Sequence, residues 1–379
     1  MKSFSVFAAL VLLGSGSKLY PQGAIRSADS MRSLCPKCSI VSRPVVTLGD
    51  REGPGVLEGS PAYLARDDNG RYFLTQINSR DGRAVVFDST GANAFRLGSR
   101  GTTLGDFKFV RRVLPLGDNL LVVDPGTLRV SVLDQSARLQ SSLLLPDIAL
   151  GYDIIALHNG HGIVVNASIP TRALAGLPLH LYRSDFNYVR SFTQHGSPSF
   201  RVDQSKLLRR KLASSINGTS FWTARQYEYK AQLLDLNGRV LRALAPTRSW
   251  FPADSNGDLK TARGEAPSPE IVGLREVKEG FLWVFMLVPD SNWRRAMRSR
   301  KIVRGRDTAT VNEWPDLDTR FDTVIELFDI RTLALVASTR LPQAVTMIVD
   351  DDQVASTRYH SNGVAYVQVW RVELHRPKS

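Results

Sequence analysis

The sequence predicts an all-β protein, a six-bladed β-propeller whose blades are four-stranded antiparallel sheets. Short apolar runs alternate with turns along most of the 379 residues, and the chain contains 28 Gly and 19 Pro, which are typical of closely spaced turns. The runs recur in groups of four, with a period of about 40–50 residues that matches one propeller blade. The last group has three runs, and a lone run near the N-terminus can complete it.

The turns mark the repeat most clearly between residues 120 and 145. Strands there end in Asp124-Pro125-Gly126 and Asp134-Gln135-Ser136, and Asp and Gly favour chain reversal because Asp hydrogen-bonds the backbone and Gly accepts positive φ. Equivalent turns follow the third strand of five groups, 46, 50, 51 and 94 residues apart. They begin at Asp88, Asp134, Ser184, Asp235 and Asp329. One insertion, at residues 288–322, accounts for the longest interval.

Each predicted blade follows directly in chain order. The strands of blades 1 to 5 are 63–66, 72–77, 84–87 and 94–97; 110–115, 120–123, 130–133 and 139–145; 153–157, 163–166, 180–183 and 188–193; 211–215, 220–224, 231–234 and 240–244; and 271–277, 281–287, 324–328 and 334–340. Blade 6 has strands 345–349, 353–358 and 365–372, and the strand at 45–48 is expected to supply its fourth. Closing the ring with strands from both chain ends removes a sheet edge that could otherwise pair with another chain.

The N-terminal residues have the pattern of a secretory signal peptide. Met1-Lys2 gives a positive start, residues 4–13 form a short apolar run, and Gly and Ser follow. The run is too short to anchor the chain in a bilayer. The predicted organisation is therefore a signal peptide at 1–24, a linker at 25–43, a propeller at 44–375 and a tail at 376–379. We expect an exported protein, periplasmic or secreted.

The two cysteines, Cys35 and Cys38, lie in the predicted linker as a C-x-x-C pair. In an oxidising compartment this spacing favours a local disulfide. A structural zinc site usually needs four ligands, and no second pair completes one. A thioredoxin-like motif would open a helix, whereas the residues that follow are predicted to form a strand.

The chain has a formal net charge of +13, which favours polyanionic partners. No nucleic-acid-binding motif accompanies this charge. The insertion carries a dense basic stretch, and as a helix it would be basic on most sides, with Trp293 and Met297 together on one side. Docking to an anionic membrane surface, a polyanion or an acidic partner is one interpretation, and a solvated charged flap is the alternative. The basic residues concerned are Arg294, Arg295, Arg298, Arg300 and Lys301.

The longest predicted loops all leave one face of the propeller, because second-to-third-strand connections and blade-to-blade connections emerge together. They span 167–178, 195–204, 246–269 and 288–322. Long loops on a rigid scaffold usually carry the function, so the mouth of the central channel on this face is the predicted binding site. Side chains at the ends of second strands would suit a small anionic or peptide ligand, or would alternatively cap turns. These are Gln76, Asp124, Asn166, Arg225 and Arg358.

One loop has a weak calcium pattern. Asp254, Asn256, Asp258 and Glu265 match positions 1, 3, 5 and 12 of a calcium loop, but Leu259 stands where that loop needs Gly. An ordinary polar loop is the alternative, and no other cofactor is predicted. The sequence contains no Gly-x-Ser-x-Gly elbow, phosphate-binding glycine loop or zinc-protease motif.

Two adjacent segments, Asn119–Asp124 and Arg129–Asp134, resemble the repeats of six-bladed propellers of the NHL and TolB-like superfamily. The resemblance implies a range of functions, from protein-binding modules to lyases and metal-dependent lactonases. We expect a monomeric binding or protein-interaction module that acts through its long-loop face. A metal-dependent hydrolase or lyase at the channel mouth and a polyanion-binding envelope protein are the alternatives.

Overall fold

The computed structural model describes residues 25–26, 33–50, 52–144, 150–160, 162–168, 177–192, 209–251, 266–304, 307–313 and 317–377. The strands, in chain order, are β1 Ile25–Arg26, β2 Ser39–Leu48, β3 Ser60–Arg66, β4 Tyr72–Ile77, β5 Val85–Phe87, β6 Ala94–Arg96, β7 Ser99–Arg100, β8 Asp106–Phe107, β9 Arg112–Leu116, β10 Asn119–Asp124, β11 Arg129–Asp134, β12 Leu139–Leu144, β13 Leu150–Ala156, β14 Ile163–Ser168, β15 Leu179–Tyr182, β16 Tyr188–Phe192, β17 Arg210–Ser214, β18 Ser220–Arg225, β19 Ala231–Asp235, β20 Val240–Leu244, β21 Glu270–Val277, β22 Phe281–Pro289, β23 Arg298–Arg304, β24 Asp307–Glu313, β25 Phe321–Asp329, β26 Leu335–Leu341, β27 Met347–Ile348, β28 Gln353–Tyr359 and β29 Ala365–His375. Short helical turns occur at His158–Gly160, Trp293–Ala296 and Leu317–Thr319.

These strands form the six four-stranded antiparallel blades predicted from the sequence. Blades 1 to 4 are β3 to β6, β9 to β12, β13 to β16 and β17 to β20, each paired in chain order. Blade 5 pairs β21, β22, β25 and β26, and blade 6 pairs β27, β28, β29 and β2. The first strand of every blade contacts the first strands of its two neighbours, so that β3, β9, β13, β17, β21 and β27 form a closed ring. This ring surrounds the central channel.

Aspartate turns end the third strands, as predicted. The Oδ1 atom of Asp134 accepts hydrogen bonds from the amides of Ser136 and Arg138 at 2.8 and 2.9 Å. Asp235 makes the same two bonds to Asn237 and Arg239, both at 2.9 Å. Equivalent bonds are made by Asp88, Asp329 and, one residue after the predicted Ser184, Asp185. The repeat is therefore set by local side-chain-to-backbone bonds.

The core lies between neighbouring blades. One apolar cluster joins Phe73 and Val86 of blade 1 to Val113, Leu120 and Val122 of blade 2. Other clusters join blade 2 to blade 3, blade 3 to blade 4, blade 4 to blade 5, blade 5 to blade 6 and blade 6 to blade 1. Each blade therefore buries both of its faces, and the apolar contacts run around the ring.

The N-terminal strand closes the ring, which confirms the prediction. Strand β2 pairs antiparallel with β29, from Ser39 opposite His375 to Leu48 opposite Val367. Ile40 is buried in the core between blades 5 and 6, and Leu48 is buried in the core between blades 6 and 1. This strand begins at residue 39, within the segment predicted as a linker.

Residues before β2 also lie along the sheets. Strand β1 pairs in parallel with β20, the outermost strand of blade 4. The amide of Leu34 then donates to the carbonyl oxygen of Leu335 in β26, the outermost strand of blade 5, at 2.8 Å. The described part of this segment therefore adds to the outer edges of two blades before it completes a third. The predicted signal peptide lies outside the described residues.

The basic insertion is not the helix considered from the sequence. Its helix is a single turn, Trp293–Ala296, and the antiparallel hairpin of β23 and β24 follows. The β-branched content of 302–303 and 308–311 favours strands over a helix. Trp293 is buried, whereas Arg294, Arg295 and Arg298 are exposed. Arg300 and Lys301 are opposite Val311 and Thr310 in the hairpin.

Within the described part of the chain, the helices are all too short to traverse a bilayer.

Candidate ligand site in the central channel

A cavity of about 290 Å³ lies in the central channel, and residues of all six innermost strands line it. Most of these residues stand in the first half of their strands, and Arg111 immediately precedes β9. First strands begin on the face from which the long connections leave, so the cavity occupies that end of the channel. Its volume is close to the lower end of the range for small-molecule pockets.

Three of the six innermost strands carry a β-bulge near their starts. The pairing register shifts between Pro61 and Tyr63 in β3, between Gly151 and Asp153 in β13, and between Ile271 and Gly273 in β21. The bulged strands belong to blades 1, 3 and 5, so they alternate around the ring. A bulge re-aims the residues beside it, and Tyr63 and Asp153 next to two of these bulges both line the cavity.

Gly273 allows a close approach of two blades at this level. A Cβ atom on Gly273 would lie 2.2 Å from Cγ1 of Ile348 in blade 6. A larger residue would push the two strands apart and change the channel wall.

A buried ion pair crosses the wall from blade 2 to blade 3. Nη1 of Arg112 donates to Oδ1 of Asp153 at 2.6 Å, and the amide of Leu212 in blade 4 donates to Oδ2 at 2.9 Å. The Asp153 side chain retains 9% of its exposure. Both carboxylate oxygens therefore have partners, and the position of Arg112 is fixed.

The remaining charges on the cavity wall are cationic. Three basic side chains, Arg111, Arg112 and Lys211, face one carboxylate, Asp153, which gives the lining a net charge of +2. The guanidinium carbons of Arg112 and Arg111 lie 4.4 and 5.4 Å from the ring centroid of Tyr63. Neither Arg111 nor Lys211 has an ion-pair partner among the described residues. Two half-buried cations are thus available to an anion.

The side chains predicted at the ends of the second strands do not line this cavity. Three of them are buried and bonded to backbone. The Oε1 atom of Gln76 accepts from the amide of Gly59 at 2.8 Å. Asp124 accepts from the amides of Lys108, Phe109 and Gly126 at 2.7, 2.9 and 2.8 Å.

Asn166 is the third. It accepts from the amide of Arg210 in blade 4 at 2.7 Å and donates to the carbonyl oxygen of Pro178 at 2.8 Å. The alternative raised from the sequence, that these residues cap strand ends and turns, describes the geometry of all three.

The two predicted arginines lie on the long-loop face beside acidic partners. Nη1 of Arg225 is 3.1 Å from Oε2 of Glu228, and Arg358 pairs with Asp318. A role for these two arginines in ligand binding stays a prediction.

The predicted calcium ligands Asp254, Asn256, Asp258 and Glu265 lie outside the described residues. Across the described ranges, no three His, Cys, Asp or Glu side chains are grouped so that they could hold a metal ion. Cys35 and Cys38 form a disulfide, and both pack against the core between blades 5 and 6.

The cavity residues Tyr63, Arg111, Arg112, Asp153 and Lys211 were not selected from the sequence. The predicted site comprised only residues at the ends of second strands, although first strands begin on the same face. Arg111, Arg112 and Lys211 stand at such starts. Asp153 likewise begins the first strand predicted for blade 3, but the bulge that places it in the wall depends on pairing with β14.

No family model matches the chain. No curated protein matches it either. Among solved structures, a member of the DUF4221 family from Bacteroides vulgatus is similar, with a TM-score of 0.57 and 9% identity over 89% of this chain and 99% of that chain. The Pan2 WD40 domain of Neurospora crassa gives 0.45 and 11% identity, covering 89% and 96% of the two chains. A streptogramin B lyase gives 0.44 and 10%, covering 89% and 98%. At 9% identity, the likeness to the DUF4221 family member supports the propeller fold alone.

Proposed function

We propose that this protein is an exported β-propeller of the NHL and TolB-like kind that binds a small anionic ligand in the channel cavity. The observation that carries the proposal is the pair of half-buried cations, Arg111 and Lys211, on a wall with a net charge of +2. Export rests on the signal-peptide pattern of residues 1–24. β-Propellers commonly serve as interaction modules, which favours a binding role.

The chemistry of the wall favours a carboxylate or phosphate group. Guanidinium groups bind such anions through paired N–H donors, and a lysine adds a compact positive charge. Arg112 is already engaged by Asp153, so Arg111 and Lys211 would make the new contacts. Tyr63 adds a ring against which the non-polar part of a ligand can pack.

The test is calorimetric titration of the purified protein with inorganic phosphate, pyrophosphate, succinate and citrate. We expect at least one probe to bind, with affinity that falls as salt is added. Arg111→Gln and Lys211→Gln should each weaken binding roughly tenfold or more, since a charge-assisted hydrogen bond is lost.

Lys108→Gln is the matched control, because it removes one positive charge from an exposed residue near β9 that does not line the cavity. Its affinity should equal that of the unmodified protein. Binding that survives both cavity substitutions, or that is absent for every probe, would contradict the proposal.

The insertion favours a second candidate function, attachment to a polyanion. Arg294 and Arg295 are exposed in the helical turn that precedes the hairpin, and Arg298 is exposed at the first position of β23. Replacement of Arg294, Arg295, Arg298 and Arg300 by Ser should abolish binding to heparin at low salt while leaving the binding of small anions intact.

A further inference from the structure

The outermost strand of each blade exposes an edge that can pair with another strand, and natural proteins usually protect such edges. Two edges are covered by the chain itself. Strand β1 pairs with β20 of blade 4, and the amide of Leu34 bonds to Leu335 in β26 of blade 5. A third outermost strand, β2 of blade 6, contains Arg43 and Pro44, and both residue types discourage pairing.

Two more edges are protected, one because its strand is short and one because its strand carries a charged residue. The outermost strand of blade 1, β6, has three residues and includes Arg96. The outermost strand of blade 3, β16, carries the exposed Arg190, which donates to Oδ1 of Asn237 at 2.6 Å.

The outer edge of blade 2 has none of these protective features. Its outermost strand, β12, has six residues, Leu139-Gln140-Ser141-Ser142-Leu143-Leu144, with no charge and no proline. Leu143 and Leu144 retain 41% and 56% of their exposure. No described residue pairs with the outer side of this strand. It therefore combines free backbone donors and acceptors with exposed leucines.

We propose that β12 is a homodimer interface, where a second copy of this chain pairs antiparallel through the same strand. A two-fold axis normal to the sheet places one residue opposite itself, and in the middle of β12 that residue is Ser141 or Ser142. With either serine at the axis, small, uncharged residues of the two copies lie opposite each other, and leucines lie on both sides of them. The outer edge of β12 is therefore complementary to the same edge of a second copy.

The pairing would join two four-stranded blades into one eight-stranded sheet. The chain already adds a strand to a blade edge in this way at β20, where β1 pairs. In place of the monomer expected from sequence, this geometry gives a closed dimer, because an isologous contact uses the same edge on both copies.

Charge distinguishes this interface from the anion site. Each copy has a net charge of +13, so two copies repel each other at low ionic strength. Added salt screens the repulsion and should strengthen the dimer, whereas it should weaken anion binding. The two proposals can therefore fail separately.

The test is sedimentation velocity and light scattering of the full chain over a wide range of concentration and salt. We expect a monomer–dimer equilibrium that shifts toward dimer with salt. The double variant Ser141→Lys with Leu143→Lys places lysines opposite each other in either register, and should raise the dimer dissociation constant at least about tenfold. Both residues are exposed, so the thermal midpoint should be unchanged.

Two controls make the result specific. Val189→Lys with Val240→Lys adds the same charge to exposed positions on the outermost strands of blades 3 and 4, and should leave the dimer largely intact. Mixing the lysine variant with Ser141→Glu/Leu143→Glu should restore dimers as mixed pairs. A protein that stays monomeric at every concentration and salt, or a dimer that tolerates the lysine pair, would overturn the proposal.

Discussion

Arg112 of blade 2 donates to Asp153 of blade 3 at 2.6 Å, in the wall of the central channel. The same carboxylate accepts from the amide of Leu212 in blade 4 at 2.9 Å, so one side chain joins three consecutive blades. Asp153 also supplies the one negative charge of the cavity lining. The Asp153 carboxylate is therefore expected to stabilise the folded protein and to weaken the binding of anions in the cavity.

Asp153→Asn should destabilise the protein and strengthen anion binding. Breaking a buried ion pair leaves Arg112 uncompensated, which costs about 3 kcal/mol. Loss of the carboxylate raises the net charge of the cavity lining from +2 to +3, because three cations then face no anion. Urea unfolding measures the first effect, and titration with phosphate measures the second.

Asp118→Asn serves as the control, because Asp118 is exposed in the turn between β9 and β10. It should change neither quantity. Weaker anion binding by Asp153→Asn, in a variant that remains folded, would argue against the cavity as the anion site.

Because His180 is buried, we expect the folded protein to lose stability in mildly acidic solution. Its ring is fully buried in blade 3, and Nε2 lies 3.2 Å from the carbonyl oxygen of Ala167. Desolvation by burial lowers the pKa of His180 below the ordinary 6.5. As pH falls below that value, the unfolded chain takes up a proton that the folded protein does not, so stability decreases.

The expected contribution is a slope of up to about 1.4 kcal/mol per pH unit between about pH 6.5 and the lowered folded-state pKa. His180→Gln should flatten the dependence of the free energy of unfolding on pH, even if the variant is less stable throughout. His375→Gln, at an exposed residue, should keep the original slope. Chemical denaturation at several pH values compares the three proteins.

Two N-terminal deletions should distinguish the contribution of β1, which covers the edge of β20, from that of β2, which closes the ring. Removal of residues 1–32 takes away β1 and keeps β2, so the protein should still unfold cooperatively with a small loss of stability. Removal of residues 1–48 takes away β2 and uncovers β29, including the fully buried Val367 and Val369. We expect this second form to be unfolded or highly sensitive to protease.

Circular dichroism and limited proteolysis distinguish the two deletions. A peptide of residues 33–48 added to the longer deletion should restore protection, since it can pair with β29. Cooperative unfolding of the longer deletion without the peptide would show that the ring does not depend on β2.

Much of the fold followed from local chemistry. The turns at Asp88, Asp134, Asp235 and Asp329 were predicted because an aspartate bonds to amides within a few residues of itself. The incomplete last blade was visible as three runs without a fourth, and β2 supplied the missing strand.

The candidate site was not predictable in the same way. Gln76, Asp124 and Asn166 are at the strand ends where the sequence placed them, but each bonds to backbone and leaves the channel to other residues. Whether a strand-end side chain faces the channel or a neighbouring loop depends on register and on bulges such as those in β3 and β13.

By itself, the sequence determined the number of blades, the order of their strands and the closure of the ring, because alternation and turn signals act over a few residues. The tertiary structure decided the cationic channel wall, the pairing of β1 with β20 and the exposed edge of β12. Each of these depends on residues brought together from distant parts of the chain, as Asp153 and Leu212 are across 59 residues. No local pattern encodes such contacts, because they exist only once the blades have packed around their axis.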